Sequence, residues 1–236
     1  PATKAQPKEM LTVIDKPVIQ YVVEEAIASG ITDIIIITGQ NKRAIEDHFD
    51  KNYELESRLK EQGKLQTLKE IQKISKLANF IYIRQKEQLG DGHAILEAES
   101  LLRGEPFAVL SGDDIIDSPT PTLREMIKIY EEFNTPVVAA CPVPKSEIHR
   151  YGVIGGKKIR PNLYKLDKVA EKLPASKAPS NLAIVVRYIL TPDFLEELKK
   201  IHLKRGAELH TSDGLGQYIK NMPPMATSQM ERGTIA

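Results

Sequence analysis

The sequence predicts an α/β fold built on a doubly wound, mostly parallel sheet. Short apolar runs of strand-forming residues recur at 34–37, 80–83 and 107–110, the composition of strands buried on both faces. The segments between them carry apolar residues at helical spacing. The run at 107–110 ends in Ser111-Gly112-Asp113-Asp114, and open α/β sheets gather ligands beyond the carboxyl ends of their strands.

The chain opens on Pro1-Ala2-Thr3-Lys4-Ala5-Gln6-Pro7-Lys8, a loop in which the stiff Pro7 keeps Lys4 and Lys8 close. Asp15-Lys16-Pro17 reads as a helix start, Asp as N-cap and Pro in the first turn. Val18, Ile19, Val22, Val23, Ala26 and Ile27 supply its buried face and Gly30 stops it. Residues 33–39 read as a buried parallel strand. Residues 41–77 are charged and helical, with Ile45, Phe49, Leu55, Leu59, Leu65, Leu68 and Ile71 spaced for amphipathic faces. After the strand at 80–83 come Gln85 and the loop Gly90-Asp91-Gly92-His93. A glutamine amide offers donor and acceptor together, as an imide edge requires. Glycines admit close backbone approach, and helix N-termini favour anions. His93 reads as a packing or capping group.

Asp113 and Asp114 have two readings that this stretch alone leaves open. Paired acids at a strand end suit Mg²⁺, which takes one or two protein carboxylates and completes its shell with water and phosphates. Equally, Asp is common where strands give way to turns. A helix over 119–133, a strand over 136–142 with Cys141 in the core, and strands near Tyr151 and over 163–169 follow. Thr191-Pro192 opens a helix to 202, and Ser212-Asp213 caps another.

Composition narrows the function classes. Lys+Arg 33 against Asp+Glu 32 leaves a formal charge of +1, so no global field favours nucleic acid or membrane. With 41% hydrophobic and 28% charged residues the chain can bury a core beneath an ordinary polar surface. The longest apolar run is too short to span a bilayer. A single cysteine excludes an intrachain disulfide and fits a reducing compartment, so the expectation is cytoplasmic.

Residues 3–21, T-K-A-Q-P-K-E-M-L-T-V-I-D-K-P-V-I-Q-Y, resemble the signature that follows the glycine-rich loop of sugar-nucleotide pyrophosphorylases. More narrowly, they are similar to the bacterial glucose-1-phosphate uridylyltransferases (UDP-glucose pyrophosphorylases). R-Q at 84–85, G-x-G-H-A at 90–94, Y-G-V at 151–153, E-K at 171–172, P-S-N-L-A-I at 179–184 and E-L-H-T-S-D at 208–213 extend the likeness over nearly the whole chain. The resemblance implies a Rossmann-like nucleotidyltransferase fold with a sugar-binding lobe. It places Lys8 against the nucleotide phosphates, Gln85, Gly90 and Gly92 at uracil, and Mg²⁺ on Asp113 with Asp114 behind it. Gly152 and Glu171 then meet sugar hydroxyls, and Lys172 meets the sugar phosphate. Residues 1–236 are expected to form one domain, about 1–142 binding nucleotide and about 143–236 binding sugar phosphate.

The reaction implied joins UTP and glucose-1-phosphate into UDP-glucose and pyrophosphate by in-line attack on the α-phosphorus, in a homo-oligomer. Departures stand at Leu89 (the family has Lys), Asp91 (apolar), Leu173 (Pro) and Val186 (Gly). Leu173 would leave Glu171 and Lys172 less rigidly aimed, and Val186 would intrude where backbone approaches phosphate. The family's glycine loop and its second strand-end Asp lie outside the chain, so a fragment with impaired activity is expected. A non-catalytic nucleotide-sugar-binding protein, or an enzyme for another NTP or hexose phosphate, is the alternative.

Overall fold

The computed structural model describes residues 3–202, 206–222 and 225–230. A small antiparallel hairpin, β1 (Thr12–Val13) and β2 (Lys16–Pro17), leads into α1 (Val18–Ala28). Pro17 is the N-cap of α1, one residue outside the helix expected to contain it. Asp15 sits in the hairpin turn and accepts from the Tyr21 hydroxyl at 3.2 Å, which corrects its reading as a cap. The hairpin pairs Val13 with Lys16, so the residues between them must turn.

Next come β3 (Asp33–Thr38), α2 (Arg43–Phe49), α3 (Tyr53–Glu61), α4 (Leu65–Ile74) and β4 (Asn79–Arg84). β3 and β4 pair in parallel as a sheet of their own. Ile19 and Val23 of α1 close on Ile36, Ile45 and Phe49, and Phe80 stacks on Phe49 with centroids 4.6 Å apart. Ile45, Phe49 and Leu59 are buried, whereas Leu55 and Leu65 are exposed. The amphipathic spacing was therefore sound for existence and only partly for burial.

The main sheet is built from β5 (Phe107–Leu110), β6 (Val137–Pro142), β7 (Gly152–Arg160), β8 (Leu163–Glu171), β9 (Leu182–Leu190) and β10 (Met225–Gln229). Their order is β5-β9-β6-β10-β8-β7. The helices are α5 (Asp91–Glu97), α6 (Thr122–Phe133), α7 (Pro192–Lys199) and α8 (Thr211–Asn221). β6 shows how the sheet is filled. Val137, Ala139 and Cys141 join the core under α6, while Val138 and Ala140 face Phe194, Leu198 and Leu215 of α7 and α8. Period-two alternation between two apolar faces produces a continuous apolar run. Both faces are covered, so the α/β layering is as expected.

The direction of the strands is not. β6 and β10 run parallel, but β5–β9, β9–β6, β10–β8, β8–β7 and β9–β7 are antiparallel. The sheet is mixed, because β7 and β8 form a hairpin and β9 returns between β5 and β6. β10 lies in the middle of this sheet although its sequence, Met-Ala-Thr-Ser-Gln, is largely polar. Thr227 is fully buried there. Small hydroxyl side chains tolerate that position where longer polar ones would not.

Candidate active site

After turns and bends at 3–6, Pro7 caps Lys8–Met10, a single 3₁₀ turn that brings Lys8 to the end of β5. The Lys8 ammonium pairs with Asp113 Oδ2, and Asp113 Oδ1 accepts from the Ser111 hydroxyl at 2.6 Å. Burial pushes the Asp113 carboxyl up, but the Lys8 and Ser111 hydrogen bonds outweigh it and hold the group below its ordinary value. The hydrogen bond to Asp113 likewise raises Lys8 above the usual lysine range. Asp114 goes the other way. Burial raises it, and the neighbouring Asp113 charge raises it further. One acid of the pair is thus kept ionised and the other is made reluctant to ionise. Beside them Glu9 is buried, its Oε1 2.5 Å from Lys42 Nζ and its Oε2 without a partner among the described residues.

The second cluster is the glycine loop. Gln85 Nε2 donates to Gly90 O at 3.0 Å and lies 3.1 Å from His93 Nδ1. Where His93 Nδ1 is the unprotonated ring nitrogen, both amide hydrogens are used inward and Oε1 is the atom left to accept. His93 is the orienting group here, consistent with its reading as a packing residue. The glycines themselves have an intramolecular reason. A Cβ on Gly90 would sit 2.3 Å from Leu209 O, and one on Gly92 3.0 Å from the same atom. Leu209 N donates to Leu89 O at 2.7 Å, and Gly92 N donates to Leu209 O at 2.9 Å. The segment before α8 docks backbone to backbone against the loop. Asp91 fastens it, accepting from Thr211 N at 3.2 Å and Thr211 Oγ1 at 2.5 Å, with His210 Nδ1 at 3.1 Å. Asp213 Oδ2 accepts from His210 N at 3.1 Å. His210, rather than Ser212, is the residue preceding α8, and Ser212 lies in its first turn.

The third cluster lies where β7 and β8 pair. Gly152 faces Glu171 across the ladder, and a Cβ on Gly152 would lie 2.7 Å from Glu171 Oε2. The glycine therefore makes room for the carboxylate. Lys172 has φ 47°, a left-handed conformation that disfavours side chains; its amide donates to Tyr151 O at 3.1 Å. Its ammonium is 3.6 Å from Glu171 Oε1 and largely exposed.

Asp91, Tyr151, Gly152, Glu171, Val186 and His210 line a cavity of about 190 Å³, with Tyr188 at its wall. The second and third clusters therefore meet in one space. The buried Tyr188 phenol is pushed up by burial first and then by Asp91, Glu171 and Asp114, so acids of all three clusters surround it. A neighbouring cavity of about 290 Å³ shares Glu171 and Ser212 and adds Asp213, Gln217 and Lys220 of α8. Val186 also lines the shared space.

Residues 1–233 match the family described as Nucleotidyl transferase. The chain belongs to the nucleotidyl transferase family. This nucleotidyltransferase is 49% identical over 223 residues, 94% of its length and 75% of the relative's, to UTP–glucose-1-phosphate uridylyltransferase YngB of Bacillus subtilis (strain 168). Its fold superposes on an apo UDP-glucose pyrophosphorylase with TM-score 0.90 at 40% identity, covering 100% of this chain and 86% of the other. A UDP-glucose pyrophosphorylase complexed with UDP-glucose gives TM-score 0.87 at 39% identity, with the same coverage of 100% and 86%.

Among the described residues no cluster of three His, Cys, Asp or Glu side chains could cage a metal. The Asp113 carboxylate, with Asp114 behind it, nonetheless fits a divalent cation, since an ion such as Mg²⁺ is held by one or two carboxylates together with substrate phosphates. Two groups of the nucleotidyltransferase went unread in the sequence, Arg187 and its partner Glu25. The available signal was a lone arginine inside the apolar run L-A-I-V-V-R-Y-I-L, since a charge in a buried strand needs an opposite charge.

Proposed function

We propose that this nucleotidyltransferase makes UDP-glucose and pyrophosphate from UTP and glucose-1-phosphate. The observation that carries the proposal is the Lys8–Asp113 pair at the end of β5, a cation and a hard anion placed side by side at a strand end. The substrate names come from relatives such as YngB.

In this reading Gln85 Oε1 accepts from the imide N–H of uracil, since its amide hydrogens are already committed. The chain bringing Gly90 and Gly92 against Leu209 gives that amide a rigid floor. Glu171 bonds sugar hydroxyls beside Gly152, and Lys172 reaches the sugar phosphate. Lys8 exchanges Asp113 for the nucleotide phosphates. Asp113 would hold Mg²⁺ with Asp114 behind it; when bound, the ion supplies charge neutralisation between the two anionic reactants. No side-chain nucleophile is required; orientation and positive charge supply the acceleration. We place nucleotide recognition in residues about 1–142 and sugar-phosphate recognition in about 143–236, within one domain. A cytoplasmic homo-oligomer completes the proposal; among the described residues no helix is long and apolar enough to cross a membrane.

Pyrophosphate release with glucose-1-phosphate and Mg²⁺, run in parallel with each NTP, tests the substrate. Turnover confined to UTP is the expected result; equal turnover with another NTP would refute the uridylyl assignment. Lys8→Ala should lower kcat by about 100-fold or more, because the charge it meets grows in the transition state. An unchanged kcat would remove Lys8 from the chemistry.

A further inference from the structure

Arg187 is fully buried, an unusual place for a guanidinium. Its position is created by an irregularity in β9. Val138 of β6 faces Tyr188, but the next residue, Ala139, faces Val185. Val186 and Arg187 are thus the extra residues of a bulge, a device that re-aims side chains. Arg187 also stands opposite Leu110, the last residue of β5. Its side chain runs beneath the turn that follows. Nη2 donates to Asp114 O at 2.6 Å, and Nη1 reaches Val186 O at 3.1 Å and Ser111 O at 3.5 Å. Ser111 N donates to Val186 O at 3.0 Å. Nε and Nη2 both lie 3.0 Å from Glu25 Oε2 on α1. The other oxygen of Glu25 accepts from Leu123 N at 3.2 Å, at the start of α6.

The guanidinium therefore touches the carbonyls on both sides of Asp113 and none of the open surface. We infer that Arg187, fixed by Glu25 through the β9 bulge, is the positioning residue that sets the backbone of the 111–114 turn and so aims Asp113 at the divalent cation. This rests on the reading of Asp113 as the carboxylate that holds the cation. Sequence separation makes the arrangement economical to disturb: Glu25, Asp114 and Arg187 come from three distant elements and converge only in the fold. Fully buried, Arg187 acts through the turn, and the fixed planar fork that reaches three carbonyls and a carboxylate together is what a lysine lacks.

The test separates positioning from support. Breaking one partner of a buried pair leaves an uncompensated charge, so Arg187→Met alone risks unfolding. The double variant Arg187→Met/Glu25→Gln removes both charges and keeps an acceptor for Leu123 N. Arg187→Lys keeps a charge for Glu25 and loses the fork. For each, the melting temperature, the Mn²⁺ affinity in the presence of UTP by electron paramagnetic resonance, and the kcat and KM with Mg²⁺ are measured beside Asp113→Asn. Positioning predicts folded variants whose Mn²⁺ affinity and kcat fall by about 10–100-fold, the effect of losing an outer partner of a metal ligand, with KM for glucose-1-phosphate little changed. A folded double variant, or a folded Arg187→Lys, with Mn²⁺ affinity and kcat like the parent would overturn the inference. If Asp113→Asn itself left both unchanged, the site reading beneath the inference would fail. If Asp113→Asn abolished both while the Arg187 variants were normal, only the role of Arg187 would fall.

Discussion

Replacing Gly90 by alanine should loosen the glycine loop from the segment before α8. Gly90 has φ 101° and ψ 171°, a region essentially closed to side chains, with a cost of about 1–3 kcal/mol. The new Cβ would meet Leu209 O at 2.3 Å, N at 2.8 Å and C at 2.9 Å. Backbone cannot bend aside as a flexible side chain does, so the two segments must separate. Separation breaks the bonds from Leu209 N to Leu89 O and from Gly92 N to Leu209 O, worth about 1 kcal/mol each. Together these give a loss of about 3–5 kcal/mol, and at about 2–4 °C per kcal/mol for a chain of this size the melting temperature should fall by roughly 6–20 °C. Calorimetry measures it directly. Gly216→Ala is the internal control, because it lies within α8 with nothing inside 4 Å of the added carbon; it should stabilise by up to about 1 kcal/mol. If Gly90→Ala melted within a degree or two of the parent, the backbone contact with Leu209 would not be what requires a glycine there.

Three further outcomes follow from the site. Gly152→Ala displaces the Glu171 carboxylate, 2.7 Å from the added carbon; KM for glucose-1-phosphate should rise by roughly 10-fold with UTP affinity unchanged, read from initial rates against each substrate. Asp91→Ala strips Thr211, which is buried, of its side-chain partner and should cost about 1–3 kcal/mol, measured by urea unfolding. The Lys8–Asp113 pair sets a pH window. Asp113 is held below its usual 3.8, so its stabilising effect is present above that pH and is lost as pH falls through the folded value. Lys8 is raised above 10.5, so its contribution is present below that pH and is lost as pH rises through the folded value. Between these limits both charges persist, and a kcat profile between pH 5 and 9 should carry no step that Asp113→Asn removes.

Much of this fold was legible because burial writes itself into periodicity. β6 reads as an unbroken apolar run since it is covered on both faces, and the helix at 122–133 reads as amphipathic since one face meets that sheet. β10 escaped because Thr227 and Ser228 are buried without being apolar. The strand directions escaped for a different reason. Nothing in a single strand's composition records which neighbour it pairs with, and β9 joins β5 to β6 only through contacts distant in sequence. The family resemblance put Lys8 at the nucleotide phosphates and Mg²⁺ on Asp113; that these two side chains pair with each other was not read from the sequence. At Gly90, Gly92 and Gly152 the residue type pointed to close approach, and close approach is present. What approaches in the unliganded fold is Leu209 or Glu171, a distinction that no local pattern carries.

The docking of Leu209 onto Leu89 and Gly92 has a consequence for slow motions. The Leu209 amide hydrogen is sequestered only while residues 120 positions apart in the chain, such as Asp91 and Thr211, stay together. Its hydrogen exchange therefore reports the transient opening of that long-range seam rather than fraying of α8 by itself. On the proposed seating of uracil against Gln85, which needs the seam closed, bound nucleotide should slow exchange at Leu209 as its occupancy rises. An amide that contacts no substrate would then serve as the gauge of how firmly the substrate is held.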